Sequence, residues 1–308
     1  MRHFINLQDI PAGDLRKIIK DAKKRKTSRN RLKNLDVDLD APLKGNLLIQ
    51  MFEKSSLRTR LSFYLAIKQL GGSTLTLRPD ELHLSRGGES LSDTAKILST
   101  YGDIFVLRTD NEKKLNSFKK FLSIPLINGL SPNSHPAQIL SDIFTIEEIT
   151  KKNISRLNIC WIGDSNNVLN SLIEASIKFS FKLNIGCPKN YNPTSEMLKM
   201  IRQKSSKIKI FNSPKVAIKN ADVVLTDKVI SINDKVNKKK KIKDFLNFKI
   251  NSKLLSLSKK AILLHCLPRG SEITDEVFYG KKSKVWQQAL NRVHVQKSIL
   301  LYCLNKLR

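Results

Sequence analysis

Chain breakers are scarce in this sequence: 12 glycines and 10 prolines among 308 residues leave no room for collagen-like or low-complexity architecture and argue against long unstructured linkers. Acidic residues are scarce too, 27 against 56 Lys and Arg, for a formal net charge of +29. Aromatic residues make up only 6% and do not interleave with the lysines, as a base-stacking surface would require. The lysines are spread along the chain, with one dense run at 238–241. The basic balance therefore does not by itself specify nucleic acid, although a basic nucleic-acid-binding protein stands as an alternative reading. There is no apolar run near the ~18 residues that cross a bilayer, so no membrane partner is expected. The first residues, MRHFINLQDI, hold no apolar stretch of roughly 7 to 15 residues of the kind a secretory signal needs, so a cytoplasmic location is expected. Four cysteines, Cys160, Cys187, Cys266 and Cys303, lie far apart without a CxxC pair, so neither a disulfide framework nor a structural zinc site is suggested.

With 40% apolar residues the chain can build a full core, and its length suggests two domains. Short β-like runs alternate with helical ones. Residues 46–52 (NLLIQMF) read as a buried strand, followed by a helix that Ser55 or Ser56 can cap and that Gly71 and Gly72 end, then a strand at 74–77. The alternation returns with strands at 157–162, 183–187, 208–211, 222–226 and 261–265 and a helix from about Val168 to Phe179. Pro136 suits the first turn of a helix carrying Ile139, Leu140, Ile143 and Ile146, and residues 286–304 read as a closing helix. This pattern specifies α/β architecture: two doubly wound domains with parallel sheets, joined by bridging helices. The expected boundaries are 1–134 for the first domain, with a C-terminal helix 286–308 packing back on it, and 135–285 for the second.

The unusual polar residues fall just after the expected strands: 54–60, Arg108, 163–167, 227–233 and His265-Cys266. In open α/β sheets that edge is where ligands bind. Within 52–60 (FEKSSLRTR), three hydroxyls, a helix N-terminus and two guanidinium groups form chemistry suited to a phosphate. An ordinary capped helix with surface arginines is the plainer reading of the same residues. There is no Walker A pattern, and the lone Gly163 lacks GxGxxG spacing, so neither a nucleoside triphosphate nor a dinucleotide is indicated.

Residues 52–60 with their SLRTR core, 135–138 (HPAQ) and 265–269 (HCLPR) together resemble the aspartate/ornithine carbamoyltransferase family, from about residue 3 to residue 304. The HCLP segment, with 163–167 (GDSNN) and Thr226-Asp227, resembles its ornithine-using branch. The resemblance implies transfer of the carbamoyl group of carbamoyl phosphate to the δ-amine of L-ornithine, giving citrulline and phosphate in arginine biosynthesis. It implies that Ser56, Leu57, Arg58, Thr59, Arg108 and Arg292 hold the phosphate, that His135 and Gln138 hold the carbamoyl group, and that Cys266 and Leu267 also bind carbamoyl phosphate. Asn167, Asp227, Ser231 and Ile232 would hold ornithine, an amide, a carboxylate and a hydroxyl being suitable partners for a zwitterion. Arg108, His135, Asp227 and Cys266 are the implied catalytic residues. Taken alone, His135 is equally a helix-start residue, and Cys266 a small buried hydrophobe at a strand end. The chemistry requires no metal or organic cofactor. The family's trimeric assembly, completed by a loop after the first βαβ unit, implies a homotrimer or multiple of trimers, with residues 82–89 and their His83 and Arg86 reaching a neighbouring subunit; a plain exposed loop is the alternative. One departure stands out. The family's Ser-Met-Gly appears here as Ser231-Ile232-Asn233, a stiffer and less permissive loop, which keeps a carbamoyltransferase for another amine, such as an N-acylornithine or putrescine, as the nearest alternative.

Overall fold

A run such as Leu47–Phe52, buried at four consecutive positions, is satisfied only when both faces of its sheet are covered, the condition of a parallel sheet between helical layers. A computed structural model describes residues 1–78, 88–230 and 237–307 and meets that condition twice. The strands are β1 (Leu47–Phe52), β2 (Ser73–Leu77), β3 (Ile104–Arg108), β4 (Leu126–Leu130), β5 (Asn158–Ile162), β6 (Lys182–Gly186), β7 (Ile208–Phe211), β8 (Val223–Asp227) and β9 (Ile262–Cys266). The helices are α1 (Ala12–Ser28), α2 (Leu57–Gln69), α3 (Leu91–Tyr101), α4 (Glu112–Phe121), α5 (Pro136–Thr150), α6 (Asn167–Phe179), α7 (Ser195–Lys204), α8 (Pro214–Ala217), α9 (Lys238–Asp244), α10 (Ser252–Ser256), α11 (Asp275–Phe278) and α12 (Val285–Cys303). The chain divides into two units, Met1–Phe144 with Ala289–Arg308, and Thr145–Gln288, so each division falls within or beside a long helix.

In the first unit the sheet order is β2-β1-β3-β4, all parallel, and the order reverses at β1 and β3. Phe52 stands beside Arg108 in the ladder, so the turn after β1 and the end of β3 share one edge of the sheet. Ile49, Met51, Phe105, Leu107, Leu115 and Phe118 fill the core on one side. Helix α12 is held by polar residues as well as apolar ones. Lys297 is fully buried; its ammonium lies 2.6 Å from Asp38 Oδ2, and Asp38 also receives Arg29 at 2.7 Å and Arg25 at 3.1 Å. Ser298 donates to Asp21 at 2.6 Å, and Lys26 donates to Asn291 at 2.7 Å. Burial pulls the Lys297 ammonium down to about 8, against the opposing hold of Asp38. Removing the shared acid takes a carboxylate from three cations at once, of which Arg25 keeps Asp21 and Asp40, whereas removing one cation leaves two guanidinium groups on it. Asp38→Asn is therefore expected to cost about 3–5 kcal/mol and Lys297→Met clearly less, read from the shift of the urea unfolding midpoint.

In the second unit the order is β7-β6-β5-β8-β9, again all parallel, with the reversal between β5 and β8. Asp227 and Cys266 are ladder neighbours at the ends of β8 and β9. Gly163, which follows β5, has φ +155°, and a Cβ there would stand 3.3 Å from Thr226 Oγ1, so glycine lets the β5–α6 turn pass close to the end of β8. The core of this unit gathers Ile162, Val224, Leu263, Phe245, Ile250 and Phe278. All four cysteines are buried thiols outside any disulfide.

Candidate active site

Helix α2 begins directly after the 53–56 turn, with Ser56 at its N-cap position. The Ser56 hydroxyl makes no capping bond, contrary to the simple expectation of a side-chain cap. It accepts instead from Arg108 Nη1 at 2.9 Å, because the register of β1 and β3 brings that guanidinium to the same sheet edge. The hydroxyl proton and the Leu57 N–H at the start of α2 are placed to meet an anion. Thr59, one turn into the helix and 2% exposed, accepts from Arg292 Nη2 at 2.8 Å. Arg292 also donates through Nη1 to Gln138 Oε1, and Gln138 Nε2 donates to Asp142 at 2.8 Å. The two amide ends thus fix how Gln138 and Arg292 face each other. Glu53 is engaged by Thr109 and Lys114, and Lys54 pairs with Asp110 at 2.9 Å. Arg60 is exposed, so of the two arginines in the SLRTR segment only Arg58 joins Arg108 and Arg292 around His135.

His135 sits at the entrance of α5, 2% exposed, its carbonyl accepting from the Ile139 N–H at 3.3 Å. It precedes the first helical residue, Pro136, and so shares the entrance turn with Gln138 rather than one face of a formed helix. Burial, and then the charges of Arg292, Arg108 and Arg58, hold its imidazole well below the usual histidine range. A neutral ring among three guanidinium groups is a donor or acceptor for a carbonyl without being a fourth cation. The proton signals of His135 are therefore expected not to titrate between about pH 6 and pH 8, a point NMR checks directly.

The second unit offers a different set. Asn166 caps α6, its Oδ1 accepting from Val168 and Leu169, while its Nδ2 donates to Asp227 Oδ2 at 2.7 Å. The sequence points to Asn167, which is the first residue of α6; Asn166 is the neighbour that reaches the carboxylate, and its place just before an apolar helical run is the signal that would have found it. Burial pushes the Asp227 carboxyl up to about 6, with Glu272 adding to the rise and His265, the Lys228 N–H and Asn166 opposing it. His265 Nε2 meets Glu272 Oε1 at 2.8 Å, and Glu272 accepts from the Gly270 N–H at 2.5 Å, which ties β9 to the segment after it. Cys266 ends β9 at 8% exposure, followed by Leu267 and a cis peptide to Pro268. Ser231 and Ile232, and His83 and Arg86 of the 82–89 segment, lie outside the described residues.

The first unit thus gathers cations, a helix start and a neutral histidine, suited to a phosphate joined to a carbonyl. The second gathers a carboxylate, amides and a thiol, suited to an amine. Among the described residues no group of three or more His, Cys, Asp or Glu is placed to hold a metal ion.

Two family models match the chain. Residues 2–148 match the model of the aspartate/ornithine carbamoyltransferase carbamoyl-P binding domain, and residues 155–303 that of the Asp/Orn binding domain. An ornithine carbamoyltransferase of Rhizorhabdus wittichii is 39% identical over 309 residues, covering 99% of both chains. One of Brucella suis is 39% identical over 307 residues, covering 99% of this chain and 96% of that protein. Among solved structures, ornithine carbamoyltransferase from Pyrococcus furiosus superposes with a TM-score of 0.90 at 35% identity, over 97% of this chain and 96% of that one. The anabolic ornithine carbamoyltransferase from Campylobacter jejuni superposes with a TM-score of 0.88 at 35% identity, over 99% and 100%.

Proposed function

The chain belongs to the aspartate/ornithine carbamoyltransferase family and is a transferase, and from that premise we propose that it moves the carbamoyl group of carbamoyl phosphate to the δ-amine of L-ornithine. The observation that carries this reading is the pairing of a strand-tip guanidinium with the hydroxyl before α2, Arg108 to Ser56, beside Arg292 on Thr59 and Gln138. Ser56, Leu57, Arg58, Thr59, Arg108 and Arg292 take the phosphate, and His135 and Gln138 the carbamoyl group, with Cys266 and Leu267 serving the same substrate. Asn167, Asp227, Ser231 and Ile232 take ornithine. Residues 1–134 with 286–308 act as the carbamoyl-phosphate domain and 135–285 as the ornithine domain.

In the reaction the δ-nitrogen attacks the carbamoyl carbon, the bond from that carbon to the phosphate oxygen breaks, and phosphate leaves with the electron pair while the nitrogen sheds a proton. The guanidinium groups neutralise charge growing on the leaving group, and His135 stabilises the carbonyl oxygen. The nucleophile must be neutral although an alkylamine has a pKa near ~10.4 in water, so Asp227 and Cys266 orient the amine while it loses its proton. Holding both substrates turns a two-molecule encounter into a local step.

The same reading gives a role in arginine biosynthesis, a cytoplasmic location and a homotrimer. An exposed stripe on α2, Leu57, Leu61 and Tyr64, supports self-association, which sedimentation equilibrium measures. The deciding experiment is citrulline formation from carbamoyl phosphate and ornithine, run beside N-acetylornithine and putrescine. Turnover with ornithine is expected; turnover with only one of the other amines overturns the assignment and moves attention to the Ser231-Ile232-Asn233 departure.

A further inference from the structure

One buried ion pair stands beside the amine half of the site with no part in the reaction as described. The Lys241 side chain, in α9, is only 4% exposed, and its ammonium meets Asp164 Oδ2 at 2.6 Å. Keeping a lysine charged at that depth is costly, so the pair has to be held by good geometry, and its removal has to be felt locally. Asp164 opens the turn between β5 and α6. Its carbonyl accepts from Trp161 Nε1 at 3.2 Å and from the Asn166 N–H at 3.1 Å. The next residue, Ser165, donates to the Tyr191 carbonyl at 2.6 Å. Tyr191 donates through its hydroxyl to Asp244 at 2.9 Å, packs its ring edge-on against Phe245 with centroids 4.8 Å apart, and lies 5.8 Å from the Lys241 ammonium. The turn is therefore gripped at two points of α9, directly by Lys241 and through Tyr191 by Asp244. What that grip fixes is Asn166, whose amide is spent on α6 and on Asp227.

We infer that Lys241 is a positioning residue for the amine substrate: by neutralising and clamping Asp164 it sets the turn that aims Asn166 at Asp227 and starts α6 at Asn167. The inference rests on the reading of this unit as the amine-binding half. Without the ammonium, Asp164 is a carboxylate that has lost its closest cation next to a site meant for a cationic amino acid. It either turns toward water and takes the turn with it, or competes for the substrate's ammonium groups. Both consequences strike amine binding, while the residues assigned to carbamoyl phosphate lie on other elements.

The test is steady-state kinetics with each substrate varied in turn. Lys241→Met keeps the length and apolar stem of the side chain and is expected to raise KM for ornithine about tenfold or more, with KM for carbamoyl phosphate within about twofold of wild type. Lys241→Arg, which keeps the charge, should recover most of the loss. Lys243→Met, an exposed lysine of the same helix, controls for net charge and should change neither constant. If Lys241→Met does not fold, Asp164→Asn removes the charge in the same volume and must show the same split. An ornithine KM within about twofold of wild type in these variants, or an equal rise in both KM values, overturns the inference. If the wild type turns over a different amine, the substrate assignment fails, and the same split measured on that amine still decides the role of Lys241.

Discussion

Arg108→Ala is expected to lower kcat/KM for carbamoyl phosphate by about 10²–10³-fold, with kcat falling as well as affinity. The reason lies in when the charge appears. The leaving phosphate becomes more negative as its bond to the carbamoyl carbon breaks, so a guanidinium beside it is worth more in the transition state than in the bound substrate. Arg108 also holds the Ser56 hydroxyl at 2.9 Å, and its loss frees that side chain to cap α2 instead of facing the anion. Arg108→Lys keeps a charge but not the fork that reaches Ser56 and a phosphate oxygen together, so it should recover only part of the rate. A linked effect distinguishes this variant from a simply damaged enzyme. Arg108 is one of the three charges that depress the His135 imidazole, so the alanine variant should raise the His135 pKa from its wild-type position, with burial, Arg292 and Arg58 still holding it down. Citrulline kinetics and the His135 NMR signal read the two effects separately.

The parts of the fold that are legible in the sequence are those whose burial is complete. Strands such as Leu47–Phe52 and Asn158–Ile162 are covered on both faces, so they appear as unbroken apolar runs, and the polar residues that follow them mark the sheet edge. Helix α1 is different. It buries Leu15, Ile18, Ile19 and Ala22 among nine charged residues, and its apolar stripe is too thin to stand out in a lysine-rich chain. Strand β4 is interrupted by Gly129, which lets the backbone approach Val106 and reads locally as a turn residue. The site shows the same contrast. Ser56, Arg58, Thr59 and His135 occur in compact motifs, but the bonds from Arg108 to Ser56 and from Arg292 to Gln138 join residues 52 and 154 positions apart, and only the folded chain brings them together. Lys241 and Lys297 are the least legible positions. Among so many lysines, nothing local separates these two, the buried ones among the described residues, from those that face water.

Asp227→Asn is expected to lower kcat/KM for ornithine by about 10²-fold or more and, more tellingly, to change the shape of its pH profile. In the wild type two protons oppose the reaction at low pH. The Asp227 carboxyl, pushed up to about 6 chiefly by burial, must be ionised to orient the amine, and the amine itself must be neutral to attack. Log kcat/KM should therefore climb with a slope near 2 below about pH 6 and near 1 above it, until the amine is deprotonated. The asparagine variant should show a slope near 1 throughout. A wild-type slope of 1 across pH 6 would remove Asp227 from that role. The same shift has a consequence for stability with the opposite sign. A carboxyl whose pKa is higher folded than unfolded favours the folded state most below about pH 4, where it is protonated in both, and loses that advantage as the pH rises through about 6. At neutral pH the wild type thus bears the cost of a charged Asp227 that the asparagine variant escapes. Its Tm should exceed that of the wild type at pH 7.5 and converge on it as the pH approaches 4, a trade of activity against stability that belongs to a site built to hold a carboxylate where burial opposes its charge.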